Sequence, residues 1–174
     1  TVDEAVALLA ELGQNVTFEA GEGPRLDPIR DDKGLERLSA NKLHDSLGPI
    51  YETVSRVSAE LPDGAALIGF AGAPWTVATY MVEGSGSRDY PNAKGWALGD
   101  PEGFQALMDL LIEATTSYLL RQIEAGVEAL QLFDTWAGVL PRHAFDRFSA
   151  APIREIARRV KDVHPDIPVI AFPR

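Results

Sequence analysis

Asp134 closes the apolar run Ala129-Leu-Gln-Leu-Phe-Asp134 and is followed at once by Thr135 and Trp136. A carboxylate, a hydroxyl and an indole delivered together at a strand end can move protons, hold an anion or stack on a ring. An aspartate in that place also suits a plainer task, capping the next loop. A second group comes after the run Ala65-Ala-Leu-Ile-Gly-Phe70: first Phe70 and Trp75, then Thr79, Tyr80 and Glu83 one helical segment later. Taken alone, Tyr80 reads as a packed tyrosine with a satisfied hydroxyl, and Trp75 and Trp136 read as core or rim packing. Gly84-Ser-Gly-Ser87 has the composition of a phosphate cradle. It lacks the strand–loop–helix context and the lysine that a P-loop needs. His44, His143 and His164 are not spaced as a ligand pair and are expected to be solvated. Arg25, Arg30, Arg88 and Lys94 are the cations nearest these loops and the candidates to meet an anionic ligand.

The elements that must position these groups can be read from the apolar pattern. Thr1–Leu12 predicts a short helix ended by Gly13, and Asn15–Ile29 predicts a hairpin or irregular loop. Asp31–Gly34 reads as a charged turn. Leu35–Leu61 reads as mostly helical, with Gly48-Pro49 breaking or kinking it. Ala65–Phe70 has strand length, and Thr76 is placed to cap a helix running to about Glu83. Asp100-Pro101 opens a long amphipathic helix that Gly126 ends. Ala129–Asp134 predicts a second strand, Pro141–Val163 another helix, and Ile167–Phe172 a third strand at which the sequence stops. Near-continuous apolar strands alternating with helices predict parallel βα units. In such folds the functional residues sit at the C-terminal ends of the strands, where both groups lie.

Composition narrows the function classes. The 174 residues carry 26 acidic and 16 basic side chains, a net charge of −10. That balance disfavours nucleic acid, whose phosphates need Lys and Arg to displace counterions. There is no cysteine, which excludes disulfides, a thiolate nucleophile and Cys-ligated metal. No apolar run reaches the ~18–20 residues of a membrane span, and the first residues lack a signal-peptide pattern. A cytoplasmic-type domain spanning residues 1–174 is expected.

Three collinear segments then become specific. Gly69-Phe-Ala-Gly-Ala-Pro-Trp-Thr-Val-Ala-Thr-Tyr-Met-Val-Glu-Gly84 resembles the signature segment of uroporphyrinogen decarboxylases. Gln131-Leu-Phe-Asp-Thr-Trp-Ala-Gly138 resembles that family's Phe-Asp-Ser/Thr-Trp-Ala-Gly loop, and Leu12–Phe18 with Gly21-Glu-Gly-Pro24 resembles its early hairpin. The resemblance implies an α/β fold of parallel βα units, here an incomplete (β/α)₈ TIM barrel, in a homodimer that uses no cofactor and no metal. It implies decarboxylation of the acetate side chains of uroporphyrinogen to coproporphyrinogen, on the route to haem. It also implies roles: Tyr80 as the catalytic tyrosine that contacts substrate or supports an essential aspartate, Thr135 as a carboxylate-binding hydroxyl, and Phe70 and Phe133 as aromatics flanking the tetrapyrrole. Asp134 is given no proton-transfer role.

The sequence also departs from the family. It contains neither the Arg-Gln-Ala-Gly-Arg clamp nor the Gly-His-Gly segment, and no apolar strand leads into the place of the essential aspartate. Counting back from Gly13 sets Glu4 there, with Asp3 beside it. Little or no activity is therefore expected of these residues alone, and exposed strand edges should favour association. Two other readings stand beside this one. The first is a non-catalytic fragment or engineered scaffold that keeps the family's sequence. The second is a relative of the corrinoid-linked methyltransferases, which would need zinc ligands that the cysteine-free sequence does not supply.

Overall fold

A computed structural model describes residues 8–19, 23–40 and 43–174. Residues 8–11 are helical, while Thr1–Ala7 of the expected first helix, Asp3 and Glu4 among them, lie outside the described residues. The expected hairpin forms: β1 (Val16–Glu19) pairs antiparallel with β2 (Gly23–Leu26). Asp31 caps a short helix, α1 (Asp32–Leu35), by accepting from the Gly34 N–H, where a plain turn was expected. The helix expected over Leu35–Leu61 is shorter. Gly48-Pro49 breaks it, one of the two expected outcomes, and opens α2 (Gly48–Glu60), because a first-turn proline has no N–H to lose.

β3 (Ile68–Gly72), β4 (Ala129–Asp134) and β5 (Val169–Pro173) form a parallel sheet in the order β3-β4-β5. Phe70 pairs with Gln131, and Phe133 with Phe172. β3 ends two residues later than its apolar run, because Gly72 continues the ladder into the turn. Between β3 and β4 run three helices, α3 (Pro74–Glu83), α4 (Pro91–Gly99) and α5 (Pro101–Glu124). α4 is absent from the sequence reading; two glycines and a weak apolar stripe hide it. α5 starts as expected, with Asp100 accepting from the Gly103 N–H and Pro101 next in line.

A 3₁₀ turn (Ala137–Val139) comes after β4. The expected single helix over Pro141–Val163 is α6 (Arg142–Phe145), a π-helical turn (Asp146–Ala150) and α7 (Ala151–Val163). Pro152 explains the interruption: an interior proline cannot donate and would clash with the preceding turn, and a π turn relieves that crowding.

The core lies between the sheet and the helices. Leu130 and Leu132 of β4 are fully buried and meet Leu107, Leu111, Ile156 and Val160 in one apolar cluster. Trp75, Phe104 and Phe148 form an aromatic knot within it, with ring centroids 5.2 to 6.2 Å apart. The opposite face of the sheet is open: Ile68, Phe133, Ile170 and Phe172 are all exposed. Alternation along parallel strands sends half the side chains to each face, and here only one face carries helices.

At the β3 edge, Gln122 of α5 reaches the backbone of Phe70. Its Nε2 donates to the Phe70 carbonyl at 3.0 Å, and its Oε1 accepts the Phe70 N–H at 3.0 Å. The Leu67 carbonyl and the Ala73 N–H bond toward β4, so the even-numbered Phe70 faces away from it. The side-chain amide thus satisfies both groups that Phe70 turns outward.

His44 is not solvated as expected. Its Nδ1 lies 2.8 Å from the Tyr51 hydroxyl and its Nε2 2.8 Å from Ser117 Oγ, tying the 43–47 stretch to α2 and α5. Burial, then the Arg121 charge, lowers its pKa against the opposing pull of Glu124 and Asp45. Among the described residues no helix is long and apolar enough to cross a membrane.

Candidate functional site

The C-terminal ends of β3 and β4 are adjacent, as parallel pairing requires, and Asp134 anchors the turns that leave both strands. This carboxylate is fully buried (0% exposed). Its Oδ1 accepts the Thr76 hydroxyl at 2.6 Å and the Thr76 N–H at 3.2 Å, and its Oδ2 accepts the Ser149 hydroxyl. Thr76 is therefore not the N-cap of α3. Ala73 takes that position with Pro74 behind it, and the Thr76 side chain turns to Asp134, 58 residues away in sequence. The Thr76 oxygen in turn accepts the Trp136 N–H at 3.1 Å, and Trp75 Nε1 donates to the Trp136 carbonyl at 2.9 Å.

Burial raises the Asp134 pKa above the ordinary carboxylate value, while the bonds from Ser149 and Thr76 pull it down. With three donors and no cation, Asp134 joins α3 and the π turn to the end of β4. It is a structural hub between Phe133 and Thr135.

The far end of α3 is held as firmly. Gly84 ends the helix in the left-handed region at φ 81°, its N–H donating to the Tyr80 carbonyl. The carbonyls left over at the helix end are taken by the segment after the hairpin. Ile29 N donates to Met81 at 2.9 Å, Arg30 Nε to Val82 at 3.1 Å and Leu26 N to Gly84 at 2.8 Å. Gln14 Nε2 reaches Met81 as well, at 3.1 Å. Arg30, a candidate for an anionic ligand, thus binds a helix C-terminus, a favourable place for a cation.

Of the expected site residues, the structure brings Phe70 and Phe133 together, ring centroids 5.9 Å apart and edge to face. Phe172 extends the row, 6.1 Å from Phe133. Sequence reasoning missed Phe172 as a site residue. Its signal was available, since the expected third strand puts a phenylalanine at its end as Phe133 is at the end of β4. Phe133 is 37% exposed and Phe172 50%, so the aromatic row lies open on the helix-free face. Thr135 and Tyr80 are half-buried, one just past β4 and one on α3. No hydrogen bond or ring contact joins either to the phenylalanines among the described residues, and neither hydroxyl has a hydrogen-bond partner there. Phe70, Phe133 and Phe172 thus make an apolar row on the open face, with Thr135 just past β4 and Tyr80 on α3. Among the described residues no group of three or more His, Asp or Glu is arranged to hold a metal ion.

The family model for uroporphyrinogen decarboxylase (URO-D) matches residues 4–174. Curated proteins named uroporphyrinogen decarboxylase align along nearly the whole chain. That of Rhodospirillum rubrum is 52% identical over 163 residues, which is 94% of this chain and 47% of the relative. That of Jannaschia sp. is 52% identical over 164 residues, covering 94% and 48%. That of Hyphomonas neptunium is 47% identical over 171 residues, covering 98% and 50%. The chain spans about half the length of these relatives. A solved structure of a methyltransferase from Methanosarcina mazei superposes with a TM-score of 0.73 at 18% identity, covering 95% of this chain and 48% of that one. At that identity the likeness speaks to the fold alone.

Proposed function

Because the chain belongs to the uroporphyrinogen decarboxylase family, we propose that its chemistry is the cofactor-free removal of CO₂ from the acetate side chains of uroporphyrinogen, giving coproporphyrinogen. The observation that carries this reading is spatial. Of the residues matched by resemblance, Phe70 lies midway along β3 and Tyr80 on the helix after it, while Phe133 and Thr135 lie at and just past the C-terminal end of the adjacent parallel strand β4. That is where parallel α/β folds place their sites. In this reading β3, β4 and β5 are one sector of a (β/α)₈ barrel. The open aromatic face looks into its cleft, and the protein acts as a cytoplasmic homodimer.

The reaction needs an acid and a place for charge. Protonation of the pyrrole ring carbon next to the one that bears the acetate makes the ring a cation. The C–CO₂ bond then breaks and its electron pair neutralises the ring as an exocyclic methylene forms; the methylene takes up a proton to become methyl, and the ring carbon releases the proton it had gained. Phe70 and Phe133 hold the ring plane. Thr135 donates to a substrate carboxylate. Tyr80 donates to the substrate or orients the acid beside it. Arg30 spends its Nε on Val82, which leaves its two terminal nitrogens as the part of the guanidinium that can meet a substrate carboxylate.

The test is Tyr80→Phe in a full-length family protein carrying this segment, assayed anaerobically by the coproporphyrinogen formed. The variant should lower kcat about 10-fold or more without changing the melting temperature. An unchanged rate removes Tyr80 from the mechanism, and a parent protein that leaves uroporphyrinogen intact removes the function. A porphyrinogen titration of the 174-residue chain by itself separates a substrate-binding wall, which binds weakly, from a scaffold, which does not bind.

A further inference from the structure

β4 carries a polar residue that neither the core nor the substrate-facing set uses. Gln131 lies in Ala129-Leu-Gln-Leu-Phe-Asp134, and alternation along the strand puts it on the opposite face from the buried Leu130 and Leu132. It therefore stands on the helix-free face, two residues before Phe133. Its register partner on β3 is Phe70, and on β5 it is Ile170. Among the described residues, every other residue that these three strands present on that face is apolar, from Ile68 to Phe172. Parallel strands covered on both faces read as continuous apolar runs, and Gln131 interrupts this one. The fold draws no hydrogen bond from the amide: the side chain is half-buried and makes none among the described residues. Gln122 shows the contrast. There the same amide spends both donor and acceptor on Phe70, the residue that pairs with Gln131. One glutamine is consumed by the sheet, and the other keeps its donor and acceptor beside the phenylalanine row.

What that amide can meet follows from its neighbours. Strands lie ~4.8 Å apart and rise ~3.3 Å per residue, so Phe70 stands beside Gln131 and Phe133 roughly 7 Å farther along. A flat ring lying against those two phenylalanines brings its edge to the amide. The polar group on a pyrrole edge is the ring N–H, which donates and does not accept. Its match is the amide oxygen Oε1, not Nε2. The match tightens during the reaction. Once the ring is protonated on carbon, the N–H belongs to a cation, and hydrogen bonds from ionised donors are roughly twice as strong as neutral ones. An acceptor held here binds the charged ring better than the neutral one, and such differential binding lowers the barrier.

We propose that Gln131 is a further substrate-binding residue, its Oε1 accepting the N–H of the pyrrole that lies against Phe70 and Phe133 and stabilising that ring while it is a cation. The inference rests on the reading of the open face as the wall of the porphyrinogen cleft.

Gln131→Met and Gln131→Glu test it in a full-length family protein carrying this segment, assayed anaerobically. Gln131→Met keeps the length and removes the acceptor. It should lower kcat about 10-fold with KM within about threefold, at an unchanged melting temperature, because the fold loses no hydrogen bond. Gln131→Glu keeps an acceptor oxygen. It should hold kcat within about threefold of the parent and raise KM, since its charge repels the substrate carboxylates. A Gln131→Met protein with the parent's kcat overturns the proposal. So does a loss confined to KM, which assigns the amide to a carboxylate arm through Nε2, and so does an equal loss of kcat in the two variants. A readout free of turnover is the ¹³Cδ resonance of Gln131, assigned by its disappearance in Gln131→Met. It should move downfield when coproporphyrinogen is added, as the carbon of an accepting carbonyl does, and an unmoved resonance overturns the acceptor role. A moved resonance in a protein that leaves uroporphyrinogen intact supports the acceptor role while the decarboxylase reading falls.

Discussion

Thr76→Val isolates the hydroxyl on which the Asp134 cluster turns, because valine keeps the shape and deletes the oxygen. That oxygen donates to Asp134 at 2.6 Å and accepts from the Trp136 N–H at 3.1 Å. Asp134 is fully buried, so water cannot take the donor's place. Losing a bond to a charged buried acceptor costs ~1.5–3 kcal/mol, and the unpaired Trp136 N–H adds ~1 kcal/mol or more. The extra methyl returns ~0.8 kcal/mol. The net loss is ~2–4 kcal/mol, which at m of ~2 kcal/mol/M lowers the urea midpoint by ~1–2 M, read by tryptophan fluorescence. The pH dependence carries a second signature. Burial lifts the folded Asp134 pKa above its unfolded value, so the folded chain holds this proton more tightly. The stability it contributes is present at low pH and falls as pH rises through the raised pKa. Removing the Thr76 bond lifts that pKa further, so the deficit of Thr76→Val should widen as pH rises through the raised pKa. In an Asp134→Asn background, where nothing titrates, the deficit should be smaller and flat. A loss under ~1 kcal/mol, or a deficit that does not change with pH in the Asp134 background, would refute the hub argument.

Two other perturbations test neighbouring parts of the frame. Gly84→Ala puts a Cβ 2.7 Å from the Leu26 carbonyl and 2.9 Å from Pro28 Cγ at φ +81°. It should cost ~2–4 kcal/mol by urea unfolding, and a cost under ~1 kcal/mol would show that the segment after β2 yields easily. His44 is held neutral by burial and by Arg121, so its folded pKa lies below the ordinary histidine value. Its contribution is present above that ordinary value and is lost as pH falls toward the folded pKa. His44→Gln should therefore flatten the dependence of melting temperature on pH between about pH 7 and pH 5, and a parent-like slope would place the pH sensitivity elsewhere.

What was legible in the sequence was whatever local pattern decides. Ala129–Asp134 is a strand with the expected bounds because a continuous apolar run between a glycine stop and a turn leaves little choice. Asp100-Pro101 caps α5 for equally local reasons. Thr76 misled because its best partner is 58 residues distant, and a buried carboxylate outcompetes the helix end for its hydroxyl. His44 looked solvated because Tyr51 and Ser117 converge on it only after α2 and α5 pack. The break inside the last helix was not read, although Pro152 was there to signal it, and nothing local names a π turn as the remedy. The place of Phe133 by the end of β4 could be read from the strand pattern, though β3 runs on past Phe70 to Gly72. That of Ser149 could not, since it gains its meaning from a contact across the fold.

The Gln122 amide on Phe70 makes the two edges of the sheet unequal. A side-chain amide carries the same donor and acceptor as a peptide, so Gln122 stands in for a neighbouring strand at the middle of β3. A strand arriving there, from a second copy or from elsewhere in a longer polypeptide, must first peel that amide away and leave a buried polar group in search of new partners. At β5 no described side chain stands in that way, so an incoming strand meets no such barrier. The sheet is therefore a template with a preferred growing end: extension at β5 is open, and extension at β3 waits on the exchange of Gln122.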